Sequence, residues 1–223
     1  MTFDSRHKPY GPYERFIKRP LDCLLALLAL VILAPLLGLI AIIVRINLGS
    51  PVLFSQDRPG KYEKVFILYK FRSMTNERDK TGKLLPDDMR LTRFGRLLRS
   101  TSLDELPELF NIVKGDMAVI GPRPLLVDYI PYYTDEEHHR HDVRPGLTGL
   151  AQVNGRNAIN CWEERFQFDL EYVNHISFAA DLKIFFITLL KVGRRSDIKV
   201  GSEIKVGRLD NARRCNKSIP EEK

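Results

Sequence analysis

Apolar positions in this chain form one long block, then a series of short alternating or helical stretches divided by polar spacers. The block covers residues 23–44 and contains no charged side chain. A helical run of about 20 apolar residues matches the ~30 Å hydrocarbon core of a bilayer, so the block predicts a membrane helix. Pro35 lies at its midpoint. A proline there removes one backbone hydrogen bond and pushes its ring into the preceding turn, which predicts a kink or break within Leu33-Ala34-Pro35. Each arm is then roughly 16 Å long at ~1.5 Å per residue, close to one leaflet. Arg15, Lys18 and Arg19 precede the block, and Arg45, Arg58, Lys61 and Lys64 follow it. Positive flanks stay cytoplasmic. On this segment alone two courses remain open, a single kinked span and a re-entrant hairpin with both ends on the cytoplasmic side.

Beyond the block the pattern predicts smaller elements. Residues 52–55 and 65–69 have strand character and flank the turn-forming Asp57-Arg58-Pro59-Gly60, which predicts a β-hairpin. Residues 75–86 are charged and read as a surface loop. Leu91, Phe94 and Leu98 share one face of a short amphipathic helix over 90–99, and a second helix is expected over 103–113. Gly/Pro-rich loops follow at 115–124 and 144–157. Helices are expected over 161–175 and 178–192. The last of these carries Phe178, Leu182, Phe185, Phe186 and Leu189 at helical spacing, suited either to lying on a bilayer or to an ordinary core. The polar residues beyond 194 read as a loose tail. The expected fold is mostly α with a small β-hairpin, an α+β chain. It divides into an arm (1–12), a lead-in and membrane helix (13–46), a cytoplasmic domain (47–195) and a tail (196–223).

Composition narrows the partners. The 223 residues include 35 Lys+Arg against 28 Asp+Glu, a formal surplus of +7. Such a surplus favours anionic partners: nucleic acid, acidic headgroups or phosphorylated substrates. The apolar block favours the last two, and no aromatic-basic ribbon or base-reading motif speaks for nucleic acid. Cys23, Cys161 and Cys215 are too far apart in sequence to suggest a disulfide framework or a metal site. No small-residue cleavage pattern follows the block, so it reads as retained. Nothing in the pattern speaks to oligomeric state.

The candidate chemistry centres on Ser102-Leu103-Asp104-Glu105-Leu106. Ser102 and Glu105 fit the S-x-x-E capping box, which on spacing alone is the simpler account. The functional account places Asp104 in a first helical turn, where free amides favour its ionised form. An ionised Asp can attack phosphorus and form a covalent intermediate. Glu105 could then orient Asp104 or help hold a divalent cation, since neighbouring carboxylates repel unless a cation lies near, and Mg²⁺ also neutralises diphosphate oxygens. Lys70, Arg72, Arg90, Arg99, Arg123, Arg144 and Arg156 fall in loops or at element ends, where they could grip phosphate. In Gly121-Pro122-Arg123-Pro124 two prolines restrict the backbone around one guanidinium. His138 and His141 are a conceivable ligand pair at i, i+3, but a solvated face is the simpler account. Trp162 reads as packing, and Asp169 as a surface carboxylate.

Read together, several segments closely resemble the bacterial sugar transferase family, in particular its small monotopic polyprenyl-phosphate phosphoglycosyl transferases. They are Lys18-Arg19-Pro20-Leu21-Asp22, the Pro-broken block, Tyr69-Lys70-Phe71-Arg72-Ser73-Met74, Ser102 to Pro107, Lys114-Gly115-Asp116-Met117, Gly121 to Leu125 and Val143 to Gly149. The resemblance implies transfer of a sugar phosphate from a UDP-sugar to undecaprenyl phosphate at the cytoplasmic face of the bacterial inner membrane, with UMP released. It implies Asp104 as nucleophile, Glu105 as its partner and Mg²⁺ as cofactor held by the two. Lys70, Arg99, Arg123 and Arg156 match positions that line the phosphate and nucleotide site, and Asp169 matches a polar position there. It further implies a monotopic protein whose re-entrant helix breaks at Ala34-Pro35, where the family often has Ser-Pro, and whose amphipathic helices rest on membrane lipids. An N-acetylated sugar, possibly diacetamido, is the expected donor, with a plain hexose as the alternative. A non-enzymatic membrane scaffold is the reading from another class.

Overall fold

The computed structural model describes residues 7–9, 11–155, 161–194 and 207–217. The apolar block belongs to α1, Lys18–Leu48, entered through a single π turn, Tyr13–Ile17. The helix runs unbroken through Leu33, Ala34 and Pro35. With its lead-in it is long and apolar enough to cross a membrane.

The hairpin follows as β1, Leu53–Pro59, and β2, Val65–Phe71, antiparallel with Leu53 opposite Phe71 and Pro59 opposite Val65. A 3-10 turn, Lys61–Glu63, connects them. Phe66 and Leu68 are buried on β2 between exposed Val65 and Ile67, the alternation expected of a sheet with one face on a core, and Phe71 is buried in a separate cluster with Ile40, Val44 and Leu98. Then come α2, Asp87–Arg90, and α3, Arg93–Ser100, whose start is capped by Thr92 accepting from the Gly95 amide at 3.0 Å. Gly95 is required by contact, because a Cβ there would lie 1.8 Å from the Ser73 carbonyl oxygen. The helix can therefore press against the strand exit.

The helix expected over 103–113 is instead a 3-10 turn, Leu103–Glu105, followed by α4, Glu108–Lys114. Pro107 stands at the N-cap of α4 and has no amide proton to continue a helix from the turn. The segments read as Gly/Pro loops contain β3, Ala118–Ile120, and β4, Gly146–Thr148, paired in parallel, with α5, Leu150–Val153, after them. Three-residue strands are too short to show a period. The crossing is tight: a Cβ on Gly146 would lie 2.1 Å from the Gly121 nitrogen.

Two longer helices, α6 Trp162–Asn174 and α7 Phe178–Arg194, match the expected spans. The expected loose tail holds a further helix, α8, Leu209–Lys217. Leu209 is fully buried among Leu125, Tyr129, Tyr133, Trp162 and Phe166, and the Trp162 indole donates to the Gly207 carbonyl at 3.0 Å. One apolar residue and a backbone acceptor anchor a segment whose composition is otherwise polar.

α1 packs mainly along α4, and both its ends are fixed to the same body. At the start, Lys18 Nζ lies 2.5 Å from Asp181 of α7, and Arg19 donates to the Ile112 and Val113 carbonyls at 2.6 and 3.0 Å. At the far end, Ile40 and Val44 pack with Phe71 and Leu98, and Arg72 donates to the Ser50 carbonyl at 2.8 Å. Buried positions are Lys18, Asp22, Ala26, Ile40 and Val44, with none between Ala26 and Ile40.

Candidate active site

Ser102 ends the α3 region in the left-handed conformation, with φ +56°, and its side chain makes no capping bond. The capping box allowed by the spacing is therefore absent. A serine in this region of backbone space is uncommon, and such strain is a feature of functional turns. The turn after it is fixed by Leu103 and Leu106, which pack against the cluster of Ile40, Val44, Phe71 and Leu98. Between these apolar anchors Asp104 and Glu105 are both buried.

Three cations converge on the two acids. Lys70, from β2, places Nζ 2.8 Å from Glu105 Oε1. Arg123, from the Gly121–Pro124 loop, places Nη2 2.5 Å from the same oxygen, with its side chain 27% exposed. Arg99, from α3, is fixed by donating from Nε to Ser73 Oγ at 2.9 Å. Among the described residues no hydrogen bond reaches the Asp104 carboxylate. Burial, then the adjacent Glu105, raises the Asp104 pKa, while Lys70, Arg99 and Arg123 pull it down. The sequence reading placed Asp104 in a first helical turn, held ionised by free amides. The turn is instead a lone 3-10 segment, and these three cations are what favour the charge.

Sequence reasoning missed Glu108. It is almost fully buried at the start of α4, with Oε1 3.0 Å from Lys70 Nζ but no well-directed hydrogen bond. Burial pushes its carboxyl up to about 7; Lys70 opposes the shift and Glu105 adds to it. An acidic residue opening a helix is ordinary, so nothing in the sequence marked it. Arg58, also missed, is half-buried near Arg123, and desolvation followed by that neighbour lowers its pKa to about 10.

Asp169 stands apart from these groups and is no surface carboxylate. It is buried and accepts from Arg140 Nη2 at 2.7 Å and Nε at 3.1 Å. Arg140 Nη2 also donates to the Arg123 carbonyl at 2.7 Å. Asp169 thus acts on the site through Arg140, by fixing the backbone that presents Arg123. Arg72, Arg90 and Arg144 bind backbone carbonyls of Ser50, Leu85 and Gly115, so they hold loops rather than face Asp104. Arg156 lies outside the described residues. His138 and His141 both face Glu63, at 2.5 and 3.3 Å. No group of three or more His, Cys, Asp or Glu among the described residues is arranged for a metal. Mg²⁺ needs fewer, since one or two carboxylates suffice when substrate phosphates and water complete its shell. The hard oxygens of Asp104 and Glu105 fit that donor set.

The profile of the family described as Bacterial sugar transferase matches residues 13–195. An uncharacterized sugar transferase, EpsL, from Bacillus subtilis is 52% identical over 176 residues, 79% of this chain and 87% of that one. A UDP-glucose:undecaprenyl-phosphate glucose-1-phosphate transferase from Klebsiella pneumoniae is 40% identical over 198 residues, covering 85% of this chain but 42% of the relative. A UDP-N-acetylgalactosamine-undecaprenyl-phosphate N-acetylgalactosaminephosphotransferase from Aeromonas hydrophila is 39% identical over 190 residues, 80% of this chain and 44% of the relative. The chain therefore spans less than half of the length of these last two. A family match over most of the chain and a relative 52% identical over 79% of it establish that this protein belongs to the bacterial sugar transferase family.

Proposed function

We propose that this protein transfers a sugar 1-phosphate from a UDP-sugar to undecaprenyl phosphate at the cytoplasmic face of the bacterial inner membrane, releasing UMP. The observation that carries the reading is Asp104: a buried carboxylate without a hydrogen-bond partner among the described residues, set among Lys70, Arg99 and Arg123. A carboxylate oxygen of Asp104 attacks the β-phosphorus, and the bond from that phosphorus to the bridging oxygen breaks. UMP departs with the bridging oxygen and the electron pair. The acceptor's phosphate oxygen then attacks the same phosphorus and frees Asp104. Lys70 and Arg123 bear on both steps, because they already hold Glu105 and lie where the diphosphate's charge must be balanced. Asp104 and Glu105 would hold Mg²⁺, which when bound supplies Lewis-acid polarisation of the phosphoryl oxygens.

The membrane course follows from which parts of α1 are covered. Its two ends rest on the same domain, through Lys18 with Asp181 and through Val44 with Phe71 and Leu98, while Ala34 and Pro35 at its middle are exposed. A straight span would carry one end to the opposite membrane face, away from that domain. A monotopic, re-entrant course agrees with both attachments, with the proline dipping deepest; the break expected at Ala34-Pro35 is absent, so the reversal would be a bend within a continuous helix.

The donor is read as an N-acetylated sugar, possibly diacetamido. A plain hexose is the second reading, favoured by the glucose named in the Klebsiella relative. A UMP-release assay over a panel of UDP-sugars, with undecaprenyl phosphate and Mg²⁺, tests the reaction and identifies the donor. No UMP from any donor would leave a non-catalytic membrane protein.

A further inference from the structure

Between the catalytic turn and α7 lies a cavity of about 320 Å³. Leu106, Val119 and Leu147 line it from the body, and Phe185 and Leu189 line it from α7. Ser102 and Glu105 belong to the same wall, so the cavity abuts the turn that carries Asp104. On α7 the apolar surface continues outward through Phe186 and Leu190, both more than half exposed. Gln152, Thr188 and Lys191 also line it, but its exposed surface is mostly apolar, and a nucleotide sugar, which presents phosphate, hydroxyl and uracil, gains little from such a wall. A lipid phosphate has an anionic end and an apolar end joined at one atom, and this arrangement offers both surfaces side by side.

We propose that the cavity holds the first isoprene units of the acceptor lipid and so selects for prenyl chains next to the phosphate. The inference rests on the phosphoglycosyl transfer reading above. The acceptor's phosphate is balanced by Lys70, Arg99 and Arg123, and its first carbons leave the turn along Leu106 and Leu147 towards Phe185 and Leu189. Volume sets how much chain is read. An apolar cavity of ~150 Å³ takes up a benzene-sized molecule, so this one admits about two isoprene units. The remaining tail lies outside it, along α7 and in the bilayer.

Short prenyl phosphates given to the full-length protein after its UMP burst test this directly. Between the one-unit and two-unit acceptors kcat/KM rises about tenfold or more, as burial of another five carbons requires, and from two units to three it levels off. Leu189→Trp fills the mouth and flattens that first step. Lys183→Trp adds bulk to an exposed position of α7 away from the cavity lining and preserves it. Phe185→Ala enlarges the cavity and moves the plateau to three units. The UMP burst without acceptor reports that each variant is folded. A steady rise with chain length that the Leu189 and Phe185 variants leave unchanged overturns the proposal, because it means simple partition into micelle or bilayer. So does equal use of acyl phosphates of matched length. A wild-type protein that gives no burst with any UDP-sugar overturns the reaction itself, whereas a burst without the length step removes only the cavity's role.

Discussion

Two buried charge clusters meet at Arg123 and are built differently. In one, Arg140 and Asp169 are each 2% exposed and make a closed pair, two donors on one carboxylate, with the spare valence of Arg140 spent on the Arg123 carbonyl. In the other, three acids, Asp104, Glu105 and Glu108, share three cations, Lys70, Arg99 and Arg123. Charge is balanced in both, but only the second leaves carboxylates, those of Asp104 and Glu108, without a well-directed hydrogen bond among the described residues. A closed pair fixes backbone and has nothing left to offer a substrate. An open cluster holds its charges at a cost in stability and keeps carboxylate oxygens available to a substrate.

The comparison breaks first at Asp104. Asp104→Asn is expected to lower UMP release by roughly 10³-fold or more, as loss of a nucleophile does. Its thermal midpoint should stay level or rise. An acid whose folded pKa is raised reduces stability above its unfolded pKa, and the amide removes that penalty. Robust turnover by a folded variant would remove Asp104 from the reaction.

Asp169→Asn should do the reverse. It leaves the Arg140 guanidinium buried without its counter-charge, a loss of about 3–5 kcal/mol. At about 2–4 °C per kcal/mol for a chain of this size, the midpoint falls far enough for a melting curve to resolve easily. Release of UMP by the folded fraction, measured well below the midpoint, drops only roughly tenfold, since Arg140 acts through the Arg123 backbone. A loss equal to that of Asp104→Asn, with stability intact, would place Asp169 in contact with substrate. Between these lies Arg123→Lys, which keeps a charge but loses the planar fork that can hold Glu105 and a phosphate together. A fall in kcat/KM of about 10- to 100-fold is expected, seen by titrating the UDP-sugar.

The sequence made the hairpin and the long helices legible, and it singled out the acid pair on a different ground. Runs of strand character flanking Asp57-Arg58-Pro59-Gly60 and helical spacing in Phe178, Leu182 and Phe185 are local signals, and local structure followed them. Asp104 and Glu105 came from resemblance, because their spacing alone pointed to a capping box. The left-handed Ser102 that excludes that box carries no local mark, since serine is ordinary at helix starts. Glu108 acquires meaning only through Lys70, thirty-eight positions earlier on β2. Asp169 looked like surface until Arg140 came to it from another segment. Leu209, one apolar residue in a polar stretch, could not announce that it caps a core of five others. What escaped was in each case a partnership across the fold.

Glu108 supplies the smallest effect and the finest test of how open the cluster is. Its ordinary carboxyl value is 4.5, and burial raises it to about 7. Between those values the folded protein binds more protons than the unfolded chain, so stability falls as pH rises through the window. Glu108→Gln keeps an oxygen that can accept from Lys70 and removes the titration. The two proteins should melt together near pH 5, and by pH 8 the variant should melt a few degrees higher. Scanning calorimetry at the two pH values decides it. If the difference does not open with pH, Glu108 is ionised throughout and bound to Lys70 as firmly as Asp169 is to Arg140. The open cluster would then shrink to Asp104 and Glu105 alone, and the charge left to be shared with a substrate phosphate would rest on Arg99 and Arg123.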